Sequence, residues 1–289
     1  MPELPEVETM KRGIAAIVGS RVEGVHRPRC RLKPIAIAPG LATFRRRAVG
    51  RRIAAVDRRG KRVVIRLEGG GAGWGDSIVL EPRMTGLVLL ADSPDAEHLR
   101  FRLELAGGPA KEVLFWDRRG LGSVRLVSPA EFERRYGLDC LGPDALGITP
   151  KLLRSRLGAS RREIKVALLD QRAVAGIGNL YASEILHLAA IHPRRRCDQL
   201  RPIEWRRLCR AIVEVLEEAI RCEGSTLSDG TYRNALNQAG AYQARHRVYD
   251  RGGQRCLTCR RADVVRIVQA QRSTYFCPGC QRSSLVIGH

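Results

Sequence analysis

No apolar run in the 289-residue chain approaches the ~18–20 residues needed to cross a bilayer, so no membrane partner is expected. The opening MPELPEVETM is acidic and carries no apolar h-region, so no secretory signal is expected and the protein is read as cytoplasmic. No internal repeat is visible. Acidic residues are few beside basic ones, 30 Asp+Glu against 51 Lys+Arg, giving a net charge of +21. Such an excess points to a polyanionic partner, and nucleic acid is the polyanion that fits best. Lysine is itself scarce. Lys11, Lys33, Lys61, Lys111, Lys151 and Lys165 stand among arginines everywhere else. Where charge alone matters this chain uses arginine, so Lys61 in RRGKR and Lys165 in RREIK point to a need for a compact or titratable amine.

What is present fits a folded chain of two or three domains, with 44% hydrophobic residues. Pro5 suits the first position of a helix, with Glu6 and Glu8 in its positive first turn. Leu4, Val7, Ile14, Ile17 and Val18 mark its apolar face, while Pro2 and Glu3 precede it. Residues 21–130 read mostly as short strands: RVEGV, RIAAVDRR, RVVIRLE, SIVLEPRMTGLVLL, HLRFRLEL, EVLFWD and GSVRLV, separated by turns such as EGGGAGWGD. That pattern predicts a sandwich or barrel. SPAEFERRYG reads as a helix capped by Ser128 with Glu131 at N3. After a Gly- and Pro-rich linker, TPKLLRSRLG, REIKVALLDQ, NLYASEILHLAAI and PIEWRRLCRAIVEVLEEAIRC have helical spacing. Residues 224–250 read as a mobile polar loop.

Nine cysteines are present. Cys30, Cys140, Cys197, Cys209 and Cys222 stand singly and read as buried thiols. The others form two C-x-x-C pairs, Cys256/Cys259 and Cys277/Cys280, around a two-stranded segment turning at QAQR. Four thiolates brought together by a hairpin suit one structural, non-catalytic Zn2+. A unit this small needs the metal to fold. Arg272 sits at the hairpin tip, in reach of DNA or of solvent alone. Upstream, QRAVAGIGNLYASEIL sets Gly176 and Gly178 before Asn179 at a helix start, where free N–H groups can take a DNA phosphate. A plain turn between packed helices has the same pattern.

Taken together, PELPEVET, IKVALLDQRAVAGIGNLYASEIL and the CxxC…QAQRSTYFCxxC segment resemble the formamidopyrimidine-DNA glycosylase family, relatives of endonuclease VIII. The resemblance runs along the whole chain. It implies an α+β multidomain fold: an N-terminal catalytic β-sandwich with an N-terminal helix (1–135), a linker (136–150), a helix–two-turns–helix domain with a lesion-capping loop (151–250) and a zinc ribbon (251–289). It implies a monomeric bacterial enzyme of base excision repair acting on damaged double-stranded DNA at the nucleoid. By resemblance Pro2, freed by loss of Met1, is the nucleophile. Glu3 is its acid/base partner, and Glu6 positions the N-terminus. Lys61 approaches the base and a phosphate. Lys165, Asn179, His98 and a residue at or next to Arg161 contact DNA. Arg272 grips phosphates and serves δ-elimination. Met84, Arg119 and Leu121 fill the hole left by the everted base, although Met84 and Leu121 read equally as sandwich core.

The resemblance implies excision of oxidised purines, 8-oxoguanine and formamidopyrimidines, through a proline Schiff base and β,δ-elimination. The chain departs from the family pattern at Glu81, where a histidine is usual. Gly120 and Leu121 replace an Arg-Phe pair, and LNQAGAYQAR lacks the K-P-G-Y-F element. An endonuclease VIII-like enzyme for oxidised pyrimidines and a catalytically inactive damage-binding protein remain the alternative readings.

Overall fold

Period-two alternation in LRFRLEL turns Phe101, Leu103 and Leu105 inward and leaves Arg102 and Glu104 half-exposed. Repeated along the first half of the chain, this alternation builds the β-sandwich. A computed structural model describes residues 2–70, 73–227 and 230–282. Met1 and part of the EGGGAGWGD turn lie outside the described residues. The chain forms two compact units, Met1–Cys140 with Ile220–Gln243, and Leu141–Ala219 with Ala244–His289.

The first unit opens with α1 (Leu4–Gly13), followed by β1 (Arg21–His26), β2 (Ala36–Ala38) and α2 (Leu41–Ala48). Then come β3 (Ile53–Arg59), β4 (Arg62–Glu68), β5 (Trp74–Glu81), β6 (Gly86–Leu89), β7 (Leu99–Ala106), β8 (Glu112–Asp117), β9 (Ser123–Val127) and α3 (Pro129–Tyr136). One sheet has the order β2-β9-β5-β4-β3 and the other β1-β7-β8-β6. The β2–β9 pair is parallel and the other pairs are antiparallel. Phe44, Phe101, Phe115 and Trp116 fill the core, with Phe44 and Phe101 rings 5.6 Å apart.

Helix α2 lies in a region that reads as strands from the sequence. Leu41, Phe44 and Ala48 put one apolar stripe on a segment otherwise dominated by Arg45, Arg46 and Arg47. That stripe is too short for periodicity to declare it. Helix α1 starts one residue before Pro5, at Leu4, so Glu3 is its N-cap. The helix ends at Gly13, and a 3-10 turn at Ala15–Ile17 breaks the phase. Ile14 and Ile17 remain buried, but Val18 is 47% exposed and does not belong to the apolar face. The Ser128 cap is present, its hydroxyl accepting from Glu131 N at 3.3 Å. Cys197 and Cys209 are buried thiols, whereas Cys140 is on the surface and Cys30 and Cys222 are half-buried.

The second unit contains α4 (Pro150–Leu157), α5 (Ile164–Leu168), α6 (Asn179–Leu188) and α7 (Pro202–Arg221), of which the last residues fall in the first unit. The hairpin β10 (Val265–Gln269) and β11 (Arg272–Phe276) completes it. No described helix is long and apolar enough to cross a membrane. Of the segment 224–250 expected to be a mobile loop, residues 228 and 229 lie outside the described residues, 244–250 belong to the second unit, and the part around Asn234 is hydrogen-bonded within the first unit. Asn234 Oδ1 accepts from Leu236 and Gln238 N at 3.0 and 2.9 Å, and Ala235 O accepts from Leu90 N at 2.9 Å.

Helix α1 is tied to β3 by a mostly buried ion pair. Arg58 Nε donates to Glu8 Oε2 at 2.9 Å, while Arg12 Nε donates to Glu8 Oε1 at 2.9 Å. Burial alone would raise the Glu8 carboxyl, but the bonds from Arg12 and Arg58 hold it below its ordinary 4.5. A depressed carboxyl stabilises the fold above about pH 4.5, and this contribution fades as pH falls through the folded value. Arg58→Met should therefore cost about 1–3 kcal/mol at pH 7. The gap between variant and wild type should narrow as pH drops below about 4.5. Urea unfolding across pH checks this, and a gap constant with pH contradicts it.

Candidate active site and DNA-contacting residues

A helix start must satisfy its free N–H groups, and here two glutamates do so reciprocally. Glu3 and Glu6 form a capping box, and Pro5 sits where its missing N–H costs nothing. Glu6 Oε2 accepts from Glu3 N at 2.9 Å, and Glu6 Oε1 accepts from Ser225 N at 2.9 Å. Gly224 makes the second bond possible. It has φ +80°, and a Cβ there would lie 2.9 Å from Glu6 Oε1. Tyr232 closes the arrangement, its hydroxyl donating to Glu223 O at 3.0 Å. Burial, then the neighbouring Glu6 charge, raises that phenol well above its ordinary value, so it stays a neutral donor. Pro2 and Glu3 are buried at this helix start. Pro2 shares a narrow cleft with Met84, Thr85, Leu87, Ser225 and Thr231. The cleft holds about 10 Å3, room for a single water and too little for a nucleobase.

Lys61 occupies the two-residue turn between β3 and β4, where Arg59 faces Arg62 across the ladder. Gly60 precedes it with φ +57°, the conformation a tight hairpin turn asks of its first central residue. Arg58 Nη1 donates to Gly60 O at 3.0 Å, so the ion pair to α1 also fixes this turn. Glu81 is offset by two arginines. Arg62 Nη2 lies 3.0 Å and Arg83 Nε 3.3 Å from its Oε1.

Met84, His98, Arg119 and Leu121 gather around one residue that sequence reasoning missed. Asp117 ends β8 and is fully buried. Its Oδ1 accepts from Thr85 Oγ1 at 2.5 Å and Arg119 N at 3.2 Å, and its Oδ2 accepts from Gly122 N at 2.7 Å. Its own N–H donates to His98 O at 2.9 Å. Buried Arg100 holds the other side of the segment, donating to Asp117 O at 2.8 Å. Leu121 is 42% exposed, which removes it from the sandwich core, and Met84 is half-buried. Arg119 is exposed. The His98 ring lies 5.4 Å from Trp116, with Nδ1 2.8 Å from Asp95 Oδ1. The only sequence signal for Asp117 is an acid closing the apolar run VLFW.

In the second unit, Gly176 takes φ +112° and Gly178 is the N-cap of α6. Gln171, also missed from sequence, shapes this turn. Its Oε1 accepts from Gly176 N at 3.0 Å, and its Nε2 donates to Ile177 O at 2.8 Å. Asn179 is bridged on both sides: Lys165 Nζ donates to its Oδ1 at 2.6 Å, and its Nδ2 donates to Ser273 O at 3.0 Å. The Lys165 side chain is buried, so its amine reaches the junction from inside. Arg161 is exposed. Arg272 is exposed beside the hairpin turn, where Ala270 and Gln271 have φ +45° and +60° without being glycine.

The four expected thiol ligands converge. The Sγ atoms of Cys256, Cys259, Cys277 and Cys280 all lie within 4.8 Å of one another. Cys256–Cys280 is 3.8 Å and Cys259–Cys277 is 3.6 Å. A zinc–thiolate tetrahedron with ~2.3 Å bonds has sulfur–sulfur edges of about 3.8 Å, so the donors fit Zn2+ in type, number and spacing. Backbone N–H groups of Arg261 and Ala262 hold the Cys259 thiol down to about 6, favouring the thiolate. His187 Nε2 is 3.7 Å from Cys256 Sγ, and burial followed by the Arg247 charge lowers the ring to about 4, so it is neutral. Glu184 secures the approach to the ribbon, accepting from the N–H groups of Arg247, Val248 and Tyr249 at 2.8–2.9 Å.

A structural metal ribbon, a two-glycine helical junction and a β-sandwich with a sealed helix start are features of a multidomain DNA-acting protein. Family models match along the chain: the formamidopyrimidine-DNA glycosylase N-terminal domain at residues 1–124, its H2TH domain at 141–231, and the zinc finger found in FPG and IleRS at 253–282. A Thermus thermophilus formamidopyrimidine-DNA glycosylase is 41% identical, over 97% of this chain and 98% of its own length. A Lactococcus lactis FPG variant in complex with Fapy-dG-containing DNA superposes with a TM-score of 0.84 at 32% identity, covering 98% of this chain and 100% of that one. The wild-type Lactococcus lactis protein, solved with DNA containing an oxidised pyrimidine, gives 0.83 at 31% identity over 98% and 100%. The chain belongs to the formamidopyrimidine-DNA glycosylase family.

The ribbon has few apolar residues beyond Val248, Val264 and Tyr275 around its cysteines, so the metal carries its fold. Cys277→Ser should lose zinc and weaken DNA binding together. Metal analysis showing full zinc occupancy in this variant contradicts the ligand assignment.

Proposed function

We propose that this chain is a bifunctional DNA glycosylase and abasic-site lyase that excises oxidised purines. The observation that carries the reading is the Glu3–Glu6–Ser225 arrangement, which fixes Pro2 against the cleft containing Met84. With Met1 removed, the Pro2 amine has a pKa near ~8, so part of it is unprotonated at neutral pH. Its lone pair forms a bond to C1′ as the glycosidic bond breaks and the base leaves with a proton. The aminal so formed opens as the C1′–O4′ bond breaks and O4′ takes a proton, and the iminium this leaves acidifies C2′–H, so that loss of that proton expels the 3′ phosphate. A further elimination expels the 5′ phosphate. Glu3 moves protons beside the amine, and Glu6, already engaged by two backbone N–H groups, positions the N-terminus.

The remaining residues hold the duplex. Lys61, Arg161 and Arg272 meet phosphates, and the buried Lys165 acts there through Asn179, whose amide it and Ser273 hold. His98 joins them, and Met84, Arg119 and Leu121 fill the stack after base eversion. Catalysis falls to 1–135, joined by the linker 136–150 to the duplex grip in 151–250, with the ribbon at 251–289. The protein acts as a monomer in the bacterial cytoplasm.

Lys61, Arg161 and Arg272 are charged and reach the surface, so log Kd should vary with log salt with a slope of about 3 in magnitude. A slope near zero contradicts the assignment. Pro2→Gly should bind a lesion duplex within about twofold of wild type yet lose at least ~10²-fold in excision. Undiminished excision sinks the nucleophile assignment. In a panel of duplexes, 8-oxoguanine and formamidopyrimidine should be released. Release of oxidised pyrimidines alone would favour the endonuclease VIII-like reading.

A further inference from the structure

The three residues expected to fill the stack, and His98 with them, lie at, or one residue from, an atom bonded to Asp117. Thr85 follows Met84, and its hydroxyl is on Asp117 Oδ1. The Arg119 amide is on the same oxygen. Gly122 follows Leu121, and its amide is on Oδ2. His98 accepts the Asp117 amide. The carboxylate is fully buried and its oxygens are taken by neutral donors on two loops distant in sequence. Thr85 spends its own hydroxyl twice, donating to Asp117 and accepting from Arg119 N at 3.0 Å. Gly120 closes the turn with φ +62°, where a Cβ would come within 2.8 Å of Lys33 O. The loop is therefore held from its amides by Asp117 and from its carbonyls by Arg100.

We propose that Asp117, acting through Thr85, is the positioning residue that makes the Met84 loop and the Arg119–Leu121 loop one rigid hole-filling element. This rests on the reading that Met84, Arg119 and Leu121 occupy the stack once the base is everted. Three side chains entering from independent loops would each have to be ordered on insertion. A shared buried anchor places them together, so the ordering cost is met on folding rather than on DNA. Asp117 touches neither the sugar nor the Pro2 amine in this role. Its effect should appear only where a hole has to be filled.

The test compares Thr85→Val, Thr85→Ser and Asp117→Asn with wild type on two substrates. One is a duplex with 8-oxoguanine, read as single-turnover excision. The other is a single strand with an abasic site, read as borohydride trapping, where no opposing stack exists. Thr85→Val should lower duplex excision at least about tenfold more than it lowers single-strand trapping, the ratio cancelling any effect of Thr85 on the Pro2 cleft that it lines. Thr85→Ser, which keeps the hydroxyl, should restore the duplex rate. Asp117→Asn puts an amide donor against the Arg119 or Gly122 N–H and should match or exceed the Thr85→Val defect. If Asp117→Asn fails to fold, the threonine pair decides alone. Wild-type duplex excision by Thr85→Val, an equal loss on both substrates, or no rescue by serine overturns the proposal. A wild-type protein that neither traps nor excises overturns the glycosylase reading itself, and this inference with it.

Discussion

Everything assigned to the first unit depends on where the Glu6 carboxylate is held. One oxygen accepts from Glu3 N and the other from Ser225 N, so a single buried group fixes the start of α1 to a segment more than two hundred residues away in sequence. Without it the first residues would be an ordinary chain end, which frays. With it Pro2 is set beside Met84, and Glu3 is set as a cap whose carboxylate faces the positive end of its own helix. The Glu8–Arg58 pair carries the same constraint one turn further along, joining α1 to the hairpin that presents Lys61. Gly224 is the local condition for this closure, because any side chain there would meet the Glu6 carboxylate.

The second unit solves a different problem, fixing the polar groups of the helix junction to the ribbon strand. Asn179 has both ends of its amide engaged, by Lys165 and by the Ser273 carbonyl. The helix junction and the ribbon strand thus share one side chain. Glu184 and His187 on the same helix secure the ribbon from its entry and from its cysteine cluster. The zinc site is structural in this arrangement. It fixes the hairpin that carries Arg272.

Features set by local chemistry were legible in the sequence. The Ser128 cap, the C-x-x-C spacing, the alternating strands and the Gly176/Gly178 turn each follow from neighbours in the chain. Features set by distant partners were not. Nothing in LATFRRRA shows that Phe44 would meet Phe101, so α2 read as part of a strand-rich region. Nothing in GSTLSDG shows that Ser225 would meet Glu6. Asp117 looks like a strand terminus until its partners Thr85 and Gly122 are seen, and Val18 kept its apparent place on the α1 face only because the 3-10 turn is invisible to a fixed period. The stretch around Asn234 read as mobile because what holds it is Asn234 and Ala235 bonding, not periodic apolar residues.

The central claim is that the Pro2 amine forms the covalent bond to DNA. Borohydride reduction on an abasic-site duplex, followed by digestion and mass spectrometry of the cross-linked peptide, tests it directly. The account predicts one adduct, on the N-terminal nitrogen of a peptide that begins at Pro2 with Met1 gone. An adduct on Lys61, or no adduct with a protein that still binds the duplex, contradicts it.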